Sequence, residues 1–258
     1  MALIPKNEII EQLKKVEIQN NVKIIYAVES GSRLWGFESH NSDYDIRFIY
    51  IRPLKWYLSI QSHRDVIEPK IEPPYDFSGW DIKKALYLLS KSNPPLLEWL
   101  NSHLVYKTTD VVQKIKQLIS KHFNPQSTIL HYLHMADGNY REYLKRDQII
   151  LKKYFYVLRP LLACEWIEKH NTIPPAQFSK LLDDTDGSTP KNLILDLLTQ
   201  KKSGVELALG KRIDVLNVFI EKKITHYQDV SKKMTESPIQ TKDIDTLFME
   251  IVMSNTSV

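Results

Sequence analysis

The apolar and polar positions of this chain follow two different periods in its first fifty residues. Between residues 7 and 19 the apolar side chains recur at helical spacing and predict an amphipathic helix, with its apolar face formed by Ile9, Ile10, Leu13 and Val16. Residues 22–28 are a continuous apolar, β-branched and aromatic run, which is typical of a buried strand. A Ser-Gly-Ser turn breaks this run, and residues 45–51 predict a second strand.

The next fifty residues combine short helices with one extended segment. Residues 55–60 predict a brief helix, and residues 65–77 predict an extended segment. Three prolines interrupt that segment, which suits an edge strand or a bent hairpin. Helices over 82–91 and 94–101 follow, and the second of them begins at Pro94, where proline fits a first helical turn.

From about residue 108 onward the strand signals nearly vanish. The apolar spacing predicts helices near 109–121, 126–146, 148–169, 175–183, 189–201, 206–233 and 241–253. The pattern as a whole predicts an α+β protein, with a small mixed β-sheet domain over residues 1–106 and an α-helical domain over residues 107–258.

Residues 139–159 carry a basic and an aromatic pattern at once. On one continuous helix, four cations would lie within about 40° of each other, namely Arg141, Lys145, Lys152 and Arg159. A different face would carry Tyr143, Leu151, Tyr154 and Leu158. Such a surface suits a triphosphate or an RNA backbone with a base stacked on a tyrosine. The alternative is an ordinary amphipathic helix with a solvated face, interrupted at Asp147.

Composition and charge narrow the class of protein. The 258 residues are 43% hydrophobic and 26% charged, as in globular proteins. Cys164 is the single cysteine, so an intrachain disulfide is excluded. The sequence shows neither a secretion signal at its start nor an apolar stretch of membrane-spanning length, and we expect a cytoplasmic protein without membrane contact. The net charge of +4 lies in residues 107–258, which hold 22 basic and 18 acidic residues.

The candidate chemistry begins at the turn after the first predicted strand. Gly31 allows the backbone to approach an anion closely, and Ser32 offers a hydroxyl donor to phosphate oxygens. Amides at the start of the following short helix add further donors, and Arg33 places a cation nearby. The turn therefore predicts a phosphate-binding segment.

Two carboxylates open the second predicted strand. Since side chains alternate along a strand, Asp43 and Asp45 share one face. Paired carboxylates repel each other without a cation, and Mg²⁺ prefers such oxygen ligands together with substrate phosphates. Arg47 shares the same face, where it could pair with Asp45 or contact the acceptor.

These motifs resemble a known family. Gly31-Ser32, ten residues and then Asp43-Tyr44-Asp45 are similar to the signature of the polymerase-β nucleotidyltransferase superfamily. Further matches, at residues 79–86, 91–94 and 98–100, resemble its branch of predicted RNA-repair-associated nucleotidyltransferases. The resemblance covers roughly the first 105 residues and residues 152–160.

The resemblance implies the remaining site residues. Members use a third carboxylate on a neighbouring strand, for which Asp76 and Asp81 are the candidates. We favour Asp76, which ends an extended segment, because Asp81 opens a predicted helix and suits a cap. Lys153 and Tyr154 are the implied nucleotide contacts from the helical domain.

The implied activity is transfer of a nucleoside monophosphate from a nucleoside triphosphate to a hydroxyl group. The three aspartates would bind Mg²⁺ or Mn²⁺, and RNA is the expected acceptor. Small-molecule and protein acceptors stay open, because superfamily members use all three. The rival hypotheses are a non-catalytic nucleotide-binding or RNA-binding module and a chain whose helical tail docks on a protein partner.

Overall fold

The structure is a computed structural model that describes residues 6–203, 209–234 and 241–255. Within these ranges the chain forms two compact units, the first with residues 6–34, 42–123 and 241–255 and the second with residues 35–41, 124–203 and 209–234. The predicted domain boundary after residue 106 stays a prediction, because a compact unit is not by itself shown to fold independently.

The first unit is built on a mixed five-stranded sheet. Its strands are β1 (Lys23–Glu29), β2 (Tyr44–Ile51), β3 (Val66–Ile67), β4 (Tyr75–Asp81) and β5 (Val105–Lys107). They lie in the order β3-β4-β2-β1-β5. β2 and β4 are parallel, whereas β1 is antiparallel to both β2 and β5, and β3 is antiparallel to β4. The sheet confirms the predicted α+β fold class.

Helices complete the first unit. They are α1 (Lys6–Asn20), α2 (Gly31–Trp35), α3 (Leu54–Tyr57), α4 (Ile82–Ser90), α5 (Pro94–Leu100), α6 (Asp110–His122) and α12 (Lys242–Ser254). Trp35, the last residue of α2, is grouped with the second unit. The predicted start of α5 is confirmed, because the Asn93 side chain accepts a hydrogen bond from the backbone N–H of Leu96 and Pro94 opens the first turn.

The sheet buries alternate residues of β2 against α1. The buried cluster contains Ile9, Leu13 and Val16 of α1 together with Tyr44, Ile46, Phe48 and Tyr50 of β2. Removing these apolar side chains from water stabilises the unit by roughly 1.5–3 kcal/mol for each large one. The intervening residues of β2, among them Asp45 and Arg47, face the opposite side of the sheet. The core therefore fixes the face on which the charged residues stand.

The second unit is mainly helical. Its elements are α7 (Pro125–Tyr143), β6 (Gln148–Ile150), α8 (Lys153–His170), α9 (Phe178–Asp183), α10 (Lys191–Lys202), β7 (Leu209–Lys211) and α11 (Asp214–Lys233). α8 packs against α7, α9 and α11 and buries residues all around its circumference. Cys164 lies fully buried within it. Across the described ranges, no helix combines the length and the apolar character needed to cross a membrane.

The continuous helix considered for residues 139–159 is wrong. α7 ends at Tyr143, and α8 begins only at Lys153. Between them, β6 pairs antiparallel with β7, with Ile149 opposite Gly210. The partner strand lies about sixty residues away in sequence, so local apolar spacing could not reveal the pairing. The predicted stripe of four aligned cations is therefore absent. The helix expected over 206–233 begins at Asp214, and residues 204–208 lie outside the described part.

Alanine substitutions at two glycines are expected to change the free energy of unfolding in opposite directions. A Cβ at Gly79 in β4 would lie 2.0 Å from Cε2 of the buried Phe48 ring, whereas a Cβ at Gly138 in α7 would meet no atom within 4 Å. We expect Gly79→Ala to lower the free energy of unfolding by about 1–3 kcal/mol through overpacking. Gly138→Ala should raise it by roughly 0.5–1 kcal/mol, because alanine restricts the unfolded chain and favours helix. Urea unfolding of both variants measures the two effects, and equal shifts would contradict the assigned packing of Phe48.

Candidate active site

Three aspartates lie at one edge of the sheet. Asp45 is the second residue of β2 and Asp76 the second residue of β4, and the two stand directly opposite each other in the parallel register. Asp43, just before β2, is exposed, and it lies close enough for its charge to act on Asp45. The structure thus brings the three predicted carboxylates together. Asp76 lies near the start of β4 rather than at the end of an extended segment, because β4 continues to Asp81.

Arg47 bridges two of these carboxylates. Its Nη2 donates to Oδ1 of Asp45 at 2.9 Å and to Oδ2 of Asp76 at 2.7 Å. Its Nη1 also donates to the backbone oxygen of Asp76 at 2.9 Å. Of the two alternatives for Arg47, the structure shows the ion pair with Asp45, and the contact with Asp76 is an addition that only the β2–β4 pairing reveals. The two carboxylates therefore share one cationic group.

The electrostatics of Asp45 favour a cation at this edge. Burial raises the pKa of Asp45, the Arg47 guanidinium lowers it, and the charges of Asp76 and Asp43 raise it again, with a net increase. Burial is the largest cause of this increase, and a cation beside Asp45 would relieve the part that comes from the two neighbouring carboxylates. In residues 6–203, 209–234 and 241–255, no three histidine, cysteine, aspartate or glutamate side chains are already arranged to hold a metal ion. The donor chemistry nevertheless fits a divalent cation, because carboxylate oxygens are its preferred ligands, and such an ion would take over oxygens that Arg47 contacts here.

Gly31 lies directly against the Asp45 carboxylate. Its φ is +56°, and an added Cβ would lie 1.9 Å from Oδ2 of Asp45. The neighbouring Ser30 N–H donates to the backbone oxygen of Asp45 at 2.9 Å. The position therefore requires glycine both for its left-handed conformation and for the close approach. The predicted turn and the predicted carboxylate strand meet at this contact.

The other two residues of the turn are partly buried. Ser32 follows Gly31 in α2, and Arg33 turns its guanidinium towards neighbouring groups of the first unit. Arg33 Nη2 donates to the backbone oxygen of Ser42 at 2.9 Å, and its Cζ lies 3.8 Å from the ring centroid of Tyr44. Phosphate binding by Gly31, Ser32 and Arg33 stays a prediction.

Glu29 supports Asp45 and was not singled out from the sequence. It is the last residue of β1, only 1% exposed, and its Oε1 accepts a hydrogen bond from the Asp45 N–H at 2.8 Å. Its Oε2 accepts one from the Tyr106 hydroxyl. Burial raises the pKa of Glu29, although these two hydrogen bonds oppose the increase. A carboxylate that ends an otherwise apolar strand is the sequence signal that could have indicated this role.

Asp81 has the contacts of a helix cap. It is buried, its Oδ1 accepts from the Lys83 N–H at 2.8 Å, and its Oδ2 accepts from the Tyr57 hydroxyl at 3.0 Å. Asp81 stands five residues beyond Asp76 on β4, which is roughly 17 Å along an extended strand. These contacts support Asp76 over Asp81 as the third carboxylate of the site, an assignment that stays a prediction.

The pH dependence of stability should reveal the environment of Asp81. Burial raises its pKa, which outweighs the opposing hydrogen bonds from Lys83 and Tyr57. A raised folded-state pKa adds stability at low pH that is lost as the pH rises through that pKa. Relative to Asp81→Asn, which can still cap the helix, the wild-type protein should therefore gain stability as the pH falls from about 7 towards about 4. Urea unfolding of both proteins across this range measures the difference, and a difference independent of pH would contradict the prediction.

The predicted contacts from the helical part lie in the second unit. Tyr154 is 0% exposed, and its hydroxyl donates to Oδ1 of Asn217 at 2.7 Å and accepts from the Ile213 N–H at 2.9 Å. Such burial does not fit a nucleotide contact, so we correct Tyr154 to a core residue. Lys153 is partly exposed at the start of α8, with Nζ 3.8 Å from the Tyr143 ring centroid. Its contact with a nucleotide stays a prediction.

Comparison with known proteins agrees with the motifs. The sequence matches the profile of the RNA repair pathway DNA polymerase beta family (RlaP) over residues 6–250. It is 45% identical over 250 residues, covering 96% of both chains, to the uncharacterized protein YcgL of Bacillus subtilis (strain 168). A solved nucleotidyltransferase-like protein from Exiguobacterium sibiricum 255-15 matches 96% of this chain and 89% of its own, at 11% identity and a TM-score of 0.30, which is too low to support a conclusion.

The family match confirms the resemblance inferred from the motifs and extends it through most of the helical half, to residue 250. The glycine turn, the aspartates of β2 and β4 and the helices after them all fall within the matched range. This chain belongs to the RNA repair pathway DNA polymerase beta family.

Proposed function

We propose that this protein is a metal-dependent nucleotidyltransferase that moves a nucleoside monophosphate from a nucleoside triphosphate to a hydroxyl group of RNA. The observation that carries the proposal is the pair of carboxylates, Asp45 and Asp76, which stand opposite each other on parallel strands and share the cationic group of Arg47. Family membership supports the general class of reaction, and the association of that family with RNA repair supports RNA as the acceptor.

Asp43, Asp45 and Asp76 would hold Mg²⁺ or Mn²⁺. Their oxygens suit hard divalent cations, and the charges of Asp43 and Asp76 act on Asp45, so a cation among the three carboxylates would reduce their repulsion. When bound, such an ion lowers the pKa of the acceptor hydroxyl and balances charge on the departing pyrophosphate. Glu29 contributes by fixing the backbone of Asp45 through its N–H, which keeps the carboxylate of that residue in place.

The reaction exchanges one phosphorus–oxygen bond for another. The acceptor oxygen forms a bond to the α-phosphorus, and the bond from that phosphorus to the α,β-bridging oxygen breaks. Pyrophosphate leaves with the electron pair. Asp76, more exposed than Asp45, accepts the proton of the hydroxyl and passes it to water. Gly31 and Ser32 donate hydrogen bonds to the β- and γ-phosphate oxygens, and Arg33 adds positive charge.

A labelling experiment tests this proposal. The protein is incubated with each of the four nucleoside triphosphates, labelled at the α-phosphate, with Mg²⁺ or Mn²⁺ and a mixture of RNA, protein and small hydroxyl compounds. We expect the label on RNA, the release of pyrophosphate, and no transfer from a γ-labelled nucleotide. EDTA should abolish the transfer.

The other outcomes separate the rival hypotheses. Label on protein or on a small molecule would keep the nucleotidyltransferase assignment and overturn the choice of RNA. Nucleotide binding without transfer, with every metal and acceptor offered, would indicate a non-catalytic module and overturn the enzymatic proposal.

A further inference from the structure

A group of aromatic and basic side chains lies near the start of α8 in the second unit. Tyr156 is 41% exposed, and its ring meets that of Trp35 edge to face, with 6.1 Å between the centroids. Lys153 stands between two tyrosines, with Nζ 3.8 Å from the ring centroid of Tyr143 and 5.1 Å from that of Tyr156. We call these four residues, Trp35, Tyr143, Lys153 and Tyr156, the aromatic–lysine surface.

Buried contacts hold the inner side of this surface. Arg159 is buried, with its Cζ 4.6 Å from the ring centroid of Trp35, and its Nε donates to the backbone oxygen of Ala176 at 3.3 Å. The rings of Phe37 and Phe155 lie 5.1 Å apart, and Phe37 is also 5.5 Å from Trp35. Packing of this kind restricts the motion of Trp35 and leaves Tyr156 on a supported site. A supported aromatic ring is suited to stacking, because little freedom is lost on binding.

Further lysines add positive charge in the same unit. Lys152 is exposed immediately before Lys153, and Lys201 is half-buried, with Nζ 5.4 Å from the ring centroid of Phe37. Burial lowers the pKa of Lys201, the charge of Lys152 lowers it further, and Glu38 opposes the decrease. The two ammonium groups are therefore close enough to repel each other. An anion bound near them would relieve this repulsion, as Glu38 does in part.

We propose that the aromatic–lysine surface, together with Lys152 and Lys201, binds single-stranded RNA. Bases stack on Tyr156 and Tyr143, and the phosphates contact the lysines. The inference rests on the proposed function, for which it identifies the binding surface of the RNA acceptor.

The aromatic rings favour a single strand as the occupant, and the charge of the unit favours a nucleic acid in general. The exposed ring of Tyr156 and the partly buried ring of Tyr143, both beside Lys153, match the combination with which proteins bind unpaired nucleic acid. Unpaired bases offer their faces for stacking, and a duplex hides them. The second unit also has a slight basic excess, with 17 basic against 15 acidic residues over 35–41 and 124–237. Phosphate contacts gain from such an excess.

Fluorescence anisotropy with a short labelled single-stranded RNA tests the inference. The full chain is used with Asp45→Asn and without nucleotide, so that no transfer alters the probe. Tyr156→Ala should weaken binding about tenfold, whereas Tyr156→Phe, which keeps the ring, should bind like the parent. Lys153→Ala should reduce the slope of log affinity against log salt by about one.

Tyr87→Ala is the matched control. Tyr87 is 61% exposed in α4 of the first unit and also lies beside a lysine, with Lys91 Nζ 5.7 Å from its ring centroid. Its removal should leave RNA affinity unchanged. An equal loss in Tyr87→Ala and Tyr156→Ala would show that any exposed tyrosine contributes, and would overturn the inference.

Three other results would also overturn it. The first is unchanged binding by Tyr156→Ala, and the second is equal affinity for duplex RNA of the same sequence. The third is displacement of the RNA by free nucleoside triphosphate in the parent but not in Tyr156→Ala, because this result would assign the surface to the nucleotide. The transfer assay with the wild-type chain is independent of these results. Binding of RNA that depends on Tyr156 without any transfer would support this surface while rejecting the enzymatic proposal.

Discussion

Asp45→Asn is expected to lower the rate of nucleotide transfer by about a thousandfold or more, which corresponds to roughly 4 kcal/mol of transition-state stabilisation. Asparagine keeps the size of the side chain but removes the charge that would hold a divalent cation. The free energy of unfolding should change by less than about 1 kcal/mol. The variant loses an ion pair with Arg47 and is relieved of repulsion from Asp76 and Asp43, so that the two effects oppose each other.

Single-turnover transfer and urea unfolding on the same preparation separate chemistry from stability. Asp76→Asn should behave like Asp45→Asn, because it also removes a carboxylate charge from the proposed cation site, where the two residues stand opposite each other. Asp81→Asn is the matched control, because it removes a buried carboxylate from the other end of β4, the strand that carries Asp76. This variant should retain transfer. Rapid transfer by Asp45→Asn would contradict the proposed site. Loss of transfer in Asp81→Asn with an intact fold would move the third carboxylate from Asp76 to Asp81.

The local part of the site could be predicted from the sequence. Asp43 and Asp45 share a face because strand geometry alternates side chains, and this rule needs no knowledge of distant residues. The position of Gly31 against Asp45 depends instead on the antiparallel pairing of β1 with β2. The spacing of the motif indicated that the turn and the aspartates lie together only through its resemblance to a family. Composition and periodicity did not indicate it.

The contacts of Arg47 and Glu29 lay beyond local patterns. The bond from Arg47 to Asp76 requires the parallel pairing of β2 with β4, which joins segments about thirty residues apart. In the sequence, Glu29 is only the last residue of a predicted buried strand. The fold shows that its carboxylate accepts a hydrogen bond from the Asp45 N–H. Long-range strand pairing decides both, and a single sequence specifies such pairing weakly.

In the second unit, core and exposed residues of α8 were hard to distinguish from the sequence. α8 is buried on nearly all sides, so its sequence has no single apolar face that separates core tyrosines from exposed ones. Tyr154 was favoured as a ligand contact and lies in the core, whereas Tyr156, two residues later, is exposed. The β6–β7 pairing, which joins residues far apart in sequence, likewise places a strand at Gln148–Ile150, where local spacing predicted the start of a helix.

Gly31→Ala is expected to reduce transfer about a hundredfold and also to destabilise the protein. The added Cβ would lie 1.9 Å from Oδ2 and 2.6 Å from Cγ of Asp45, so the carboxylate must move. Displacement of a reacting or ligating group by about 1 Å can cost about a hundredfold in rate. Alanine at a φ of +56° adds about 1–2 kcal/mol of backbone strain.

Gly36→Ala separates strain from displacement. Gly36 also has a positive φ, +78°, but its added Cβ would meet no atom within 4 Å. Its alanine variant should lose a similar stability, of about 1–2 kcal/mol, and keep its rate of transfer. Transfer rates and urea unfolding of the two variants give the comparison directly. Equal rates in Gly31→Ala and Gly36→Ala would mean that the carboxylate of Asp45 tolerates displacement, and its assignment as a ligand at the reacting centre would then be wrong.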